Sequence, residues 1–133
     1  MKVQDLMHTQ LKTVASTATI AEAIDALVAA HVSALPVLDP HGRAVGVISA
    51  RDILRAEHMR QEPAERQALF EDTLVLEVMQ AWVPTIPPER EVRVAAEQML
   101  SLGEQRLFVE KDGVLVGVVS MTDIVRAAAT VAA

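Results

Sequence analysis

Cysteine and tyrosine are absent, and aromatic residues make up only 2% of the chain. Without Cys there is no disulfide scaffold, no thiol nucleophile and no Cys-ligated zinc, and the redox compartment stays open. One Trp and two Phe cannot supply the ring platforms that single-stranded nucleic acid needs, so the hydrophobic 51% of the chain must build its core from Val, Leu, Ile, Ala and Met. A basic stripe is also missing: the 12 Lys and Arg are dispersed and the net charge is −6, which excludes a duplex nucleic-acid binder. No apolar run approaches the roughly 18 residues of a membrane span. The N-terminal MKVQDLMHTQ lacks the apolar stretch of a secretory signal. The expectation is a soluble cytoplasmic protein with no membrane partner.

What the chain does contain is a duplication. GVISARD at 46–52 returns as GVVSMTD at 117–123, with Gly46 and Gly117, Ser49 and Ser120, Asp52 and Asp123, and Arg55 and Arg126 in step at an offset of 71. A unit of about 60 residues leaves much of its surface exposed, so the copies are expected to need each other for stability.

Each copy reads as strand, helix, strand, strand, helix. In the first, Thr13 and Val14 form a short extended piece, and Thr19 with Glu22 has capping-box spacing. Ile20, Ala23, Ile24, Leu27 and Val28 then follow the stripe of an amphipathic helix. The second copy repeats that stripe as Val92, Ala95, Ala96, Met99 and Leu100, at an offset of 72. A hairpin follows: ALPVLD at 34–39, the turn residues Pro40, His41 and Gly42, and AVGVIS at 44–49. Its counterpart runs from Arg106 to Ser120 with one residue fewer at Lys111, Asp112 and Gly113, which accounts for the drop in offset at a position where chains tolerate it. Ser49 with Asp52, and Ser120 with Asp123, open the last helix of each copy. Pro63 and the AERQALFED that follows it predict a linker helix, with Ala64, Ala68 and Leu69 as its apolar face, placed to cover a surface or to join a dimer contact. The domain reading is repeat 1 at 1–56, a helical linker at 57–74 and repeat 2 at 75–133, an α/β (α+β) protein of two βαββα repeats.

The repeated Ser and Asp carry two readings. Ser at the N-cap with Asp three residues on is a capping box. The same geometry, at the end of a Gly-containing strand running straight into a helix, leaves backbone N–H groups free to meet an anion, while the carboxylate accepts two hydrogen bonds from a vicinal diol. A ribose phosphate offers both groups.

The two copies, each with an ALPVLD-like and a GVIS..D-like segment, resemble the tandem cystathionine β-synthase (CBS) domain pair, or Bateman module. The resemblance covers residues 3–56 and 75–128 and is carried chiefly by HVSALPVLD at 31–39 and the paired Gly, Ser and Asp. It implies a pseudo-twofold disc with clefts between the repeats that bind AMP, ADP, ATP or S-adenosylmethionine as a regulatory ligand, with no required cofactor. It further implies that Asp52 and Asp123 hold ribose hydroxyls, that Ser49 and Ser120 assist at phosphate or ribose, and that adenine lies against Val118 with Val14 in one cleft and Val47 with Ile86 and Pro87 in the other. Arg106 stands where nucleotide-binding relatives carry a phosphate-contacting Arg. Ala34 replaces it in the first copy, so the Asp123 cleft is the one expected to take a phosphorylated ligand. The resemblance implies a non-enzymatic signalling module, a homodimer by default, whose effector is another protein. The competing reading is a ligand-free structural or protein-interaction module of the same fold.

No other constellation rivals this. Ser49, Asp52 and His41 lack the GxSxG elbow of a hydrolase, and the second copy has no His in the corresponding place. His8, His31, His41 and His58 show no ligand spacing, so neither catalytic nor metal residues are assigned. His31 is expected to face the dipole at a helix C-terminus, and Trp82 to anchor the start of the second repeat.

Overall fold

Short β-branched runs, capped helices and tight turns build the same sheet twice. The computed structural model describes residues 1–132. Its elements are α1 (Val3–Leu6), β1 (Val14–Ala15), α2 (Ile20–Ala30), β2 (Ala34–Leu38), β3 (Ala44–Ser49), α3 (Ala50–His58), α4 (Pro63–Asp72), a 3-10 turn (Val75–Glu77), β4 (Thr85–Ile86), α5 (Val92–Leu102), β5 (Arg106–Lys111), β6 (Val114–Ser120) and α6 (Met121–Ala132). These form two compact units, Lys12–Val83 and Met1–Leu11 with Pro84–Ala133. The units cut across the repeats: residues 1–11 pack with the second hairpin and residues 75–83 with the first. The Lys12–Val83 body is called the Asp52 unit below, and the other the Asp123 unit.

In the Asp52 unit the sheet order is β1-β2-β3, with β1 parallel to β2 and β2 antiparallel to β3. The crossover between the parallel strands is α2, opened by the predicted box: the Thr19 hydroxyl accepts from the Glu22 N–H, and the Glu22 carboxylate accepts from the Thr19 N–H, both at 3.2 Å. The helix ends at His31, whose backbone is left-handed at φ 54 and whose N–H returns to the last turn. His31 is thus the backbone C-cap, a position Gly103 fills at the end of α5. Ile20, Leu35, Val37, Ile48 and Val75 are sealed in the core. Leu69 of α4 is fully buried there too, so the linker helix covers its own unit, packing on α2 and α3.

The Asp123 unit repeats the plan in the order β4-β5-β6 around Val3, Ile86, Met99, Leu107, Val109 and Val119. Its hairpin closes through Asp112 (φ 53) and Gly113 (φ 79), the two positive φ values of a tight two-residue turn. Glu91, at the N-cap of α5, makes no side-chain cap. Its carboxylate accepts instead from the amino group of Met1 at 3.3 Å.

Two expectations are corrected. Val28 and Leu100 do not belong to the buried stripe, being 68% and 75% exposed, because each lies about 100° around its helix from the buried Leu27 or Met99. Trp82 is 50% exposed and lies outside both core clusters, so it is not a buried anchor.

Candidate functional site

The duplication reaches further upstream than GVIS..D. Val3 and Val75, Asp5 and Glu77, and Met7 and Met79 correspond at an offset of 72, and with them His8 and Gln80. Both Val3 and Val75 are fully buried plugs. The Asp5 carboxylate accepts the Lys2 N–H, and the Glu77 carboxylate accepts the Leu74 N–H, each at 2.8 Å. These turns launch a single residue onto the open edge of the last strand. His8 exchanges two backbone hydrogen bonds with Val118, at 2.8 and 2.9 Å, and Gln80 does the same with Val47, both at 2.9 Å.

That crossing explains the repeated glycine. A Cβ on Gly46 would stand 2.4 Å from the Gln80 carbonyl oxygen and 2.7 Å from Met79 Sδ. One on Gly117 would stand 2.8 Å from Met7 Sδ and 2.9 Å from the His8 carbonyl oxygen. The glycine is required where a second backbone passes over the strand.

Each edge residue also reaches the acidic side chain at the start of the following helix. The Gln80 amide donates to Asp52 Oδ1 at 3.0 Å, and His8 Nε2 meets Asp123 Oδ1 at 3.1 Å. An ionised carboxylate only accepts, so this ring nitrogen carries the hydrogen. The other carboxylate oxygen closes the capping box. Asp52 Oδ2 accepts from the Ser49 N–H at 3.0 Å and from the Ser49 hydroxyl at 2.8 Å, while the Ser49 oxygen accepts from the Asp52 N–H at 3.0 Å. In the second copy Asp123 Oδ2 accepts from the Ser120 N–H at 2.9 Å, and the Ser120 oxygen accepts from the Asp123 N–H at 3.1 Å. The next N–H of each helix is engaged as well, Ala50 with the Ser33 carbonyl and Met121 with that of Gln105, both at 2.8 Å. The expected anion cradle of free N–H groups is therefore corrected: the chain's own oxygens occupy most of it.

The two carboxylates sit in different fields. Asp52 and Asp123 are nearly buried, at 8% and 7% exposure. Burial pushes the Asp123 carboxyl up, but the Ser120 N–H and hydroxyl and then the His8 ring outweigh it and hold the group below its ordinary value. Arg126 Nη1 lies 3.6 Å from Asp123 Oδ1. Arg106 pairs across the strands with Ser120, on the same face, and has no ion pair among the described residues. In the Asp52 unit the corresponding partner of Ser49 is Ala34, and Arg55, the counterpart of Arg126, is exposed and makes no ion pair with Asp52.

Of the residues singled out from sequence, Ser120, Asp123, Arg106 and Val118 come together in the Asp123 unit, and Ser49, Asp52 and Val47 in the Asp52 unit. Val118 and Val47 are half-buried edge residues. Val14 lies in the core of the Asp52 unit, Ile86 is sealed in that of the Asp123 unit at 1% exposure, and Pro87 beside it is exposed. His8 and Gln80 were missed. The signal that could have found them is the Met7 and Met79 register, which continues the repeat upstream of the strands.

Among the described residues no His, Asp or Glu group is arranged to hold a metal ion, and no helix is long and apolar enough to cross a membrane. The family model for the CBS domain matches the chain twice, at residues 3–59 and 75–130. A 17.7 kDa protein of Acidianus ambivalens is 32% identical over 127 residues, which cover 95% of this chain and 72% of that protein. Two other curated relatives are longer, and the chain spans 41% and 14% of them. Among solved structures, CBSX2 in complex with AMP superposes with a TM-score of 0.80 at 28% identity, covering 99% of this chain and 98% of that one. The CBS domain pair of protein MJ0100, in complex with 5-methylthioadenosine and S-adenosyl-L-methionine, gives 0.79 at 26% identity, covering 98% and 97%.

Proposed function

The chain belongs to the CBS domain family, and on that premise we propose that it is a non-catalytic regulatory module that binds an adenosine compound and signals occupancy to an effector protein. Asp123 receives the ribose diol, Ser120 assists, Val118 offers apolar surface to the base and Arg106 takes the phosphate of AMP, ADP or ATP. In the first copy Asp52, Ser49 and Val47 play the corresponding parts. Without an Arg opposite Ser49, that site suits an adenosine compound lacking phosphate, such as S-adenosylmethionine.

The observation that carries the reading is the placement of Arg106, directly across the strands from Ser120 and without an ion pair among the described residues. The structures holding AMP or methylthioadenosine with S-adenosyl-L-methionine support it, since both match nearly the whole chain. Binding shifts a regulatory equilibrium only by the ligand's differential affinity for two states of the module. A second reading, a structural module without a ligand, is favoured by one fact: both oxygens of each carboxylate are already held by the chain.

Isothermal titration with AMP, ATP, adenosine and S-adenosylmethionine separates the two readings. Sensing predicts binding that Asp123→Ala abolishes at one site. Arg106→Ala weakens AMP far more than adenosine, because only the charge-assisted phosphate contact is lost. Absence of heat with every adenosine compound establishes the structural reading instead.

A further inference from the structure

The oxygen that the ribose diol needs on each aspartate is Oδ1, since Oδ2 is committed to the helix cap. In both units Oδ1 is already in use, by an amide in one and by an imidazole in the other. We propose that His8 and Gln80 are specificity-determining gate residues that compete with the ribose for the carboxylate, and that the imidazole makes adenosine binding at Asp123 proton-linked while the amide leaves the Asp52 site indifferent to pH. This rests on the nucleotide reading above.

The geometry supports displacement rather than simple occupation. The backbone of His8 is pinned to Val118 by two hydrogen bonds, whereas its side chain is 66% exposed. The ring can therefore swing off Oδ1 into water without disturbing the edge it is anchored to. Gln80 is likewise held by its backbone and exposed at its side chain. A diol that takes Oδ1 replaces one donor with another, and the outcome depends on how strongly the resident donor holds.

For Gln80 that strength is the same at every pH, because an amide does not titrate. An imidazole can take up a second proton, and the contact with Asp123 then becomes an ion pair. The charged groups around His8 are few. Helix α6 presents Asp123 and Arg126. Strand β6 carries no titratable side chain, and β5 brings Arg106 opposite Ser120. On α1, Asp5 is committed to the Lys2 N–H. Arg126 also touches Oδ1, but it stays charged throughout and adds no pH dependence. The sign is thus set by His8: acid strengthens the resident contact and weakens adenosine binding, and by reciprocity adenosine binding near neutrality releases a proton.

The test titrates the full chain with adenosine, which has no group titrating between pH 5.5 and 8. Affinity at one site should fall by about two- to fivefold from pH 8 to pH 5.5, the scale of an exposed ion pair, while the other site holds steady. Heats measured at pH 6.5 in buffers of different ionisation enthalpy should show proton release. His8→Gln should flatten the profile and abolish the release. Gln80→His should impose pH dependence on the site that lacked it, a gain that a merely structural role would not produce. Equal pH profiles for wild type and His8→Gln, or binding without proton release, would overturn the gate. Failure of adenosine and AMP to bind at any pH would instead overturn the nucleotide reading on which it rests.

Discussion

Adding one methyl group at Gly46 should be among the most damaging small changes available in the Asp52 unit. The new Cβ would lie 2.4 Å from the Gln80 carbonyl oxygen, roughly 1 Å short of ordinary non-bonded contact, and 2.7 Å from Met79 Sδ. The sulfur can move, but the carbonyl cannot move alone, because it accepts from the Val47 N–H at 2.9 Å and its own residue's N–H donates back to Val47 at 2.9 Å. Relief lifts the edge segment, breaks both backbone bonds and carries the Gln80 amide away from Asp52. Each backbone bond contributes about 0.5–1.5 kcal/mol net, and any residual overlap costs about 1–3 kcal/mol more. Gly46→Ala should therefore destabilise by about 2–6 kcal/mol. At Gly117 the closest atoms are Met7 Sδ at 2.8 Å and the His8 carbonyl oxygen at 2.9 Å, so the needed shift is smaller. Gly117→Ala should cost about 1–2 kcal/mol. Urea unfolding followed by circular dichroism measures both, with Trp82 fluorescence as a local reporter two residues beyond Gln80. A cost below about 0.5 kcal/mol for Gly46→Ala, or a larger cost at Gly117 than at Gly46, would refute the crossing-segment explanation.

The remaining expectations concern caps, charge and assembly. Ser49→Ala removes an acceptor for the Asp52 N–H and a donor to Asp52 Oδ2, and should lower stability by about 1–2 kcal/mol in urea titrations, with Ser120→Ala costing about 1 kcal/mol. Because the folded Asp123 carboxyl is held below its ordinary value, the unfolded chain binds more protons in acid, so this group's stabilising contribution is complete above the unfolded value and fades as pH falls through the folded one. Wild type should exceed Asp123→Asn by about 1 kcal/mol at pH 7, and melts taken below about pH 4 should show the gap closing. Leu54 and Val125 are equivalent by the duplication and 67% and 62% exposed, so the homodimer that the family resemblance implies can be tested at these helices. Sedimentation should then show Leu54→Glu combined with Val125→Glu shifting a dimer towards monomer, whereas an unchanged mass would remove these side chains from the interface.

Sequence alone determined the repeat, the strand and helix order, the hairpin carrying the indel and the Ser–Asp caps. All of these are local: a capping box closes within three residues, an amphipathic stripe within a few turns, and a hairpin within a dozen positions, so the residues that specify them are neighbours in the chain. Tertiary structure decided which side chains share an oxygen. Val28 shows the limit of periodicity, since a stripe drawn from polarity cannot say where its edge meets solvent. Gly46 and Gly117 show a second limit: a glycine in a strand marks a close approach, but the approaching backbone, residues 79–80 or 7–8, is far away in the chain and is delivered by the fold. His8 reaches Asp123 across 115 positions and Gln80 reaches Asp52 across 28. Their juxtaposition depends on a short turn laying one residue along an open strand edge, a pairing that long-range packing selects and no local pattern encodes.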